Sequence, residues 1–331
     1  MHLKKIPNDP RYRRARNMAY TFIVEQRIAS LPVDPFKLVA KNGWSIKTVT
    51  QIFEEHGLSI STIKDGITMY SNGHVDTYDY HIIYNEKVRS DGRIRWTIMH
   101  EIGHIVLRHF EDFPGVRFSR GGITGEEYDV LEKEAEIFAA CVLAPPIVLY
   151  ELKVESASQI QNICKISRLA SENRFNYQSK WNQRPYIDIF SAKVSLSFRN
   201  FVHRKQCLNC GHGFVSMEAV FCPICGNKVR RGEGTMIYEG YDLDENGRPD
   251  ICPVCENEEL GKEDNHCKIC GTSLVNKCTG SGYDGDSGEL WECETIASGN
   301  ARYCIKCGEK TTYFKNSLLA SWGDERDRRQ E

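Results

Sequence analysis

The chain has 331 residues, 40% of them hydrophobic and 27% charged, with a formal net charge of −2. That length exceeds what one core usually holds, so two or more domains are expected, and the composition is that of a globular protein rather than a fibrous or disordered one. The charged start MHLKKIPNDPRYRRARNMAY reads as no secretory signal, and the best apolar run, IFAACVLAPPIVLYEL, is broken by Pro145 and Pro146 short of the roughly 18 apolar residues of a membrane span. A cytoplasmic protein without a membrane partner is expected. From Cys207 onward the chain carries 14 Lys+Arg against 22 Asp+Glu, a net of −8, which leaves +6 on the first 206 residues. The acidic end speaks against a non-specific grip on nucleic-acid phosphates.

In chain order, residues 12–57 read as helical. NMAYTFIVEQRIASL ends before PVDP, and FKLVAKNGW and VTQIFEEHGL form two short helices parted at Asn42-Gly43. GITMYSNG and YDYHIIYN are rich in β-formers, with SNGHVDT as the turn of an antiparallel pair. A helix starts near Ser90-Asp91 and runs through RIRWTIMHEIGHIVLRH. After a loop holding Pro114, Gly115, Gly121 and Gly122, a second long helix opens with Thr124 and Glu127 as a capping box and stops at the double proline. Residues 151–182 are again helical, with a turn at KIS and a second helix ending in Arg174. Helix-turn-helix DNA binding is one reading of this pair, and an αα-hairpin packed on the rest of the domain is the plainer one. Cys141 and Cys164 read as buried thiols, and YIDIFSAKVSLSFRNF as one or two strands.

The segment MHEIGH sets His100 and His104 four residues apart, hence on one helical face, where both can bind one Zn²⁺ at about 2.0–2.1 Å. Glu101, rotated roughly 100° from His100, does not ligate and is placed to act as general base toward a water. Gly103 would let a strand or a substrate approach closely. A catalytic zinc wants a third protein ligand, and LEKEAEIFAACVLAP offers Glu132, Glu134 and Glu136. Glu132 and Glu136 share a face, so that one can ligate while the other supports a histidine; Glu134 points elsewhere and reads as solvated.

Taken together, IIYN, GRIRWTIMHEIGHIVLRH and EKEAEIFAACVLAPP resemble the ImmA/IrrE-like metallopeptidases over roughly residues 15–150. The resemblance implies a zincin-like core, Glu132 three residues before Ala135 as the third ligand, and Glu136 in support. It also implies cleavage of a particular protein, typically a helix-turn-helix repressor of a mobile element. It supplies no oxyanion stabiliser: His109, Tyr128 and Arg95 are candidates, each with a structural role as the plainer reading.

Cys207, Cys210, Cys222 and Cys225 form C-x2-C, eleven residues, C-x2-C, and the spacing recurs 45 residues later at Cys252, Cys255, Cys267 and Cys270. Paired knuckles of this kind make closed four-thiolate zinc sites, and a glycine after the knuckle suits its backbone. A looser set, Cys278, Cys293, Cys304 and Cys307, reads as a third. The expected architecture is α+β: a zincin-like peptidase core with a small antiparallel sheet and the HExxH helix (1–150), a helical hairpin and strand linker (151–206), and zinc ribbons at 207–230, 250–275 and 276–315. One catalytic and two to three structural zincs follow, with a protein substrate that the ribbons recruit. Direct nucleic-acid binding is not favoured. The competing readings are a non-catalytic zincin-like regulator acting through its ribbons, and ribbons that sense metal or redox state.

Overall fold

The computed structural model describes residues 5–57, 65–72, 78–113, 125–261, 263–283 and 290–328. The chain divides into two units, Met1–Val202 and His203–Glu331. Among the described residues no helix is long and apolar enough to cross a membrane.

The first unit opens with α1 (Tyr12–Glu25), α2 (Pro35–Lys41), β1 (Ser45–Thr48), α3 (Val49–His56), β2 (Gly66–Asn72) and β3 (Tyr78–Tyr84). The sheet order is β1-β3-β2. The expected antiparallel pair is present, from Gly66 opposite Tyr84 to Asn72 opposite Tyr78. The rest of the SNGHVDT turn, residues 73–77, lies outside the described residues, as do Pro114, Gly115, Gly121, Gly122 and Thr124. Within the stretch read as helical, Ser45–Thr48 is instead a strand parallel to β3. Four residues are too few to display alternation. Thr48 then ends the strand and caps α3, with Gln51 closing the capping box.

Next come α4 (Asp91–Val106), α5 (His109–Asp112) and α6 (Gly125–Leu143). Ser90 caps α4, accepting from the Arg93 N–H. Ile98, Met99, Ile102 and Ile105 form the buried face of α4. Gly103 is where α6 comes close: a Cβ there would stand 3.2 Å from both the Ala135 carbonyl oxygen and Phe138 Cδ1. The residue thus serves helix–helix packing, not the approach of a strand or substrate. Phe138, fully buried, meets Phe22 of α1 with ring centroids 5.5 Å apart. Phe138→Ala is expected to cost about 3–5 kcal/mol, read as a lower urea midpoint by far-UV circular dichroism.

The double proline ends α6, and Pro146, with φ preset for a first helical position, begins α7 (Pro146–Glu151). Then follow α8 (Ala157–Cys164), α9 (Arg168–Gln183) and α10 (Ile189–Val202). Three expectations change here. The second helix of the pair does not end at Arg174 but runs to Gln183; its inward positions Ser171, Arg174 and Gln178 are polar, so no apolar stripe marks it. Of the stretch 186–201, residues 189–201 are helical rather than β. Val194, Leu196 and Phe198 mimic alternation, yet Leu196 is 69% exposed and the buried set Ser191, Val194, Phe198 and Val202 has helical spacing. Finally, Ile160, Cys164, Val194 and Phe198 belong to the same core cluster as Ile98 and Phe138. That core does not end at residue 150; α8 and α9 pack into it as an αα-hairpin. Cys141 and Cys164 are buried as expected, and burial pushes the Cys164 thiol up to about 12.

The second unit contains β4 (Arg204–Gln206), β5 (Gly213–Val215), β6 (Arg230–Arg231), β7 (Ser281–Tyr283), β8 (Leu290–Glu292), α11 (Thr312–Lys315) and α12 (Trp322–Arg328). Strand β4 lies between β5 and β6, and β7 pairs with β8. Its order comes from knuckles more than from strands. At Gly211, Gly226, Glu256, Gly271 and Gly308, each directly after a C-x2-C pair, φ is positive, and the residue's N–H bonds back to the carbonyl of the first cysteine. Glu256 is the one non-glycine in this left-handed position, at a cost of about 1–2 kcal/mol. The residue before four of these knuckles also pairs with one seven further on: Gln206 with Gly213, Phe221 with Lys228, His266 with Ser273 and Tyr303 with Lys310.

Candidate metal centre

Helix α4 carries His100 and His104 on one face, with their Nε2 atoms 3.1 Å apart. Helix α6, brought near at Gly103, adds Glu132. Its Oε2 lies 3.1 Å from His100 Nε2 and its Oε1 3.3 Å from His104 Nε2. Four-coordinate zinc with bonds of about 2.0–2.1 Å has ligand–ligand edges of roughly 3.3–3.4 Å, so this donor set suits zinc in both chemistry and size. His104 is buried, while His100 and Glu132 stay partly exposed on one side. Burial pushes the His104 imidazole down to about 4, against the pull of the neighbouring Glu132 carboxylate. For Glu132 burial acts upward, and the contacts with His100 and His104 outweigh it, holding the carboxylate well below its usual range.

Glu101 is buried beside this cluster and accepts a 2.7 Å hydrogen bond from Thr68 Oγ1 of β2. Burial raises its pKa, which makes it a stronger base than an exposed carboxylate. Thr68 did not figure in the sequence reading. Thr68 is buried and Met69 exposed, which puts the hydroxyl on the inward face of GITMY, and no spacing in the sequence marks it.

Glu134 is a correction. Expected in solvent, it is fully buried, because α1 covers that side of α6. Its Oε1 accepts from the Arg11 backbone N–H and Nε, both at 2.7 Å, and its Oε2 from Arg11 Nη2 at 2.8 Å. Oε2 also lies 3.2 Å from His109 Nε2, and His109 Nδ1 lies 3.0 Å from His104 Nδ1. Burial raises the Glu134 pKa, but the His109 and Arg11 hydrogen bonds prevail and lower it to about 2. Glu136, by contrast, pairs with Lys133 at 2.7 Å and is about half exposed; it acts on His100 through charge. Of the three oxyanion candidates, Arg95 donates to the Val33 carbonyl and His109 lies inside the buried network. Tyr128, one turn before Glu132, hydrogen-bonds that carboxylate at the cluster, and burial together with the Glu132 charge raises its pKa.

The twelve later cysteines gather in the three sets read from their spacing. Across the sets, Sγ–Sγ separations are 3.4 Å for Cys207–Cys225, 3.5 Å for Cys210–Cys222, Cys252–Cys270 and Cys255–Cys267, 3.4 Å for Cys278–Cys307 and 3.8 Å for Cys293–Cys304. A disulfide needs about 2.05 Å, whereas four thiolates around zinc at about 2.3 Å stand roughly 3.8 Å apart. The third set is closed by the β7–β8 pair: the Cys293 N–H bonds to the Gly280 carbonyl and the Cys278 N–H to the Thr295 carbonyl, so two cysteines distant in sequence stand side by side.

Two histidines one helical turn apart and a glutamate from a crossing helix form a group that could hold a metal ion, with the buried Glu101 carboxylate alongside. Residues 53–177 match the family model Peptidase_M78, the IrrE N-terminal-like domain. No curated protein matches the chain. The match takes in α4 and α6, continues through α8 into α9, and leaves the cysteine-rich end outside.

Proposed function

We propose that the chain is a zinc endopeptidase, the reading carried by one observation: a buried, Thr68-held Glu101 beside the His100, His104 and Glu132 cluster. His100, His104 and Glu132 would hold the metal. Zinc bound there supplies Lewis acidity, which activates water and polarises a peptide carbonyl. Glu101 takes the proton of the attacking water on its carboxylate and returns it to the leaving amine, with Thr68 fixing the orientation of the acceptor oxygen. Tyr128 would turn its hydroxyl from Glu132 to the oxygen of a substrate carbonyl as charge develops there.

The three cysteine sets, closed by four thiolates each, would hold structural zincs and organise segments too small to form a core alone. Their acidic surroundings fit contact with a protein, which the ribbons would recruit for cutting. The resemblance of residues 15–150 supports a single intracellular substrate such as a helix-turn-helix repressor of a mobile element, cut in the cytoplasm. The test is hydrolysis of a mixed peptide library by the full chain. Cleavage should stop on adding a chelator of moderate affinity and return on adding one equivalent of zinc; hydrolysis indifferent to both would contradict the proposal.

A further inference from the structure

We propose that Arg11, Glu134 and His109 form a hydrogen-bonded chain that sets which nitrogen of His104 carries the proton, presenting His104 Nε2 bare to a metal. The inference rests on the zinc reading above and goes beyond it, to residues outside the cluster.

Its members come from three places. Arg11 precedes α1 as its N-cap, and its backbone N–H is one of the donors to Glu134. Glu134 sits on α6. Arg108, in the left-handed conformation with φ 57°, lies just past α4 as the N-cap of α5 and turns the chain so that His109, at the start of α5, comes back against His104. His104, His109 and Glu134 are all essentially buried. Their contacts with one another are direct, at 3.0 and 3.2 Å, so in each contact one nitrogen or oxygen donates and the other accepts.

That requirement fixes the direction of the chain. Three N–H groups of Arg11 point at the Glu134 carboxylate, two at Oε1 and one at Oε2, so the carboxylate accepts and does not donate. Arg14 Nη1, 3.7 Å from Oε2, adds a second positive charge. Facing Oε2, His109 Nε2 must carry a hydrogen. A neutral imidazole protonated at Nε2 has a bare Nδ1. His109 Nδ1 is thus the acceptor of its 3.0 Å contact with His104 Nδ1, and the hydrogen in that contact belongs to His104. The lone pair left on His104 is at Nε2, the nitrogen that stands 3.1 Å from His100 Nε2 and 3.3 Å from Glu132 Oε1. The opposite direction would place a hydrogen on His104 Nε2, where a metal ligand cannot have one. Outer partners that fix a ligating histidine typically change metal affinity by about 10–100-fold when altered.

The experiment measures zinc retained by the full chain across a graded series of chelator concentrations. The zincs held by the cysteine sets serve as an internal reference, and His100→Ala/His104→Ala identifies the zinc of the cluster. Glu134→Gln is the sharpest variant. With its amide oxygen at Oε1 under two Arg11 donors, its NH₂ takes the Oε2 position at the loss of the single Arg11 Nη2 bond, faces His109 Nε2 and reverses the chain. That zinc should then leave at roughly 10–100-fold lower chelator than in wild type. His109→Leu, which removes the acceptor for His104, should behave alike. His109→Gln, whose amide oxygen and nitrogen stand in for Nδ1 and Nε2, should stay within about threefold of wild type. A merely structural cluster would show lowered thermal midpoints for Glu134→Gln and His109→Leu but zinc release within threefold of wild type, and that result overturns the proposal. Should His109→Leu fail to fold, Glu134→Gln decides alone. If wild type and His100→Ala/His104→Ala release the same zincs, the zinc reading itself fails, a result distinct from the failure of the chain.

Discussion

Glu101→Gln should lower peptide hydrolysis by about 10²–10⁴-fold while leaving zinc content unchanged. Glutamine matches glutamate in size, and its amide oxygen can keep the 2.7 Å hydrogen bond from Thr68 Oγ1. What it loses is the capacity to take a proton. Burial matters here as well. A carboxylate whose pKa is raised by desolvation accepts a proton more readily than an exposed one, and the substitution discards that advantage entirely. Because Glu101 lies outside the ligand cluster, its replacement separates chemistry from metal binding. The check is initial rate on the peptide library together with metal content by mass spectrometry. A variant that keeps wild-type rates would remove Glu101 from the mechanism.

Cys222→Ser has the second large effect: loss of one zinc and collapse of the first ribbon. Structural zinc contributes about 10–16 kcal/mol of apparent binding free energy in small domains, and the apolar cluster of this ribbon consists mainly of its four cysteines with Ile224 and Tyr238. Little remains to hold the segment once a thiolate is gone. The damage should spread. The carbonyl of Pro223, inside the same knuckle, accepts the backbone N–H groups of Arg302 and Tyr303, which lead into the Cys304–Cys307 knuckle. Proteolytic nicking should therefore rise in both the first and the third cysteine segments. The first unit has its own core, which includes none of these residues, and should melt as in wild type. Unchanged zinc content in Cys222→Ser would show that the four thiolates do not hold a metal together.

Much of this was legible in the sequence because periodicity carries the information. The i, i+4 histidines, the cap at Ser90 and the C-x2-C spacing each imply their local geometry. What escaped depends on tertiary contact. Glu134 reads as solvated on an isolated helix, and only the covering of α6 by α1 turns it into a buried partner of Arg11, 123 residues away. Thr68 touches Glu101 because β2 packs on α4, which no spacing rule encodes. Residues 189–202 failed for a different reason. Val194, Leu196 and Phe198 fit a period of two as well as one of 3.6, and only the exposure of Leu196 separates them. The polar inward face of α9 shows the opposite problem, a helix with too little apolar contrast to mark its end.

The helix pair is expected to hold a zinc distinct from those of the cysteine sites. The most direct measurement is metal content per chain for wild type and for His100→Ala/His104→Ala, purified identically. Four donor sets among the described residues predict four zincs in wild type and three in the variant, with the loss confined to the cluster of His100, His104 and Glu132. The same zinc content in both proteins would contradict the account, and would leave a zincin-like scaffold that acts by binding.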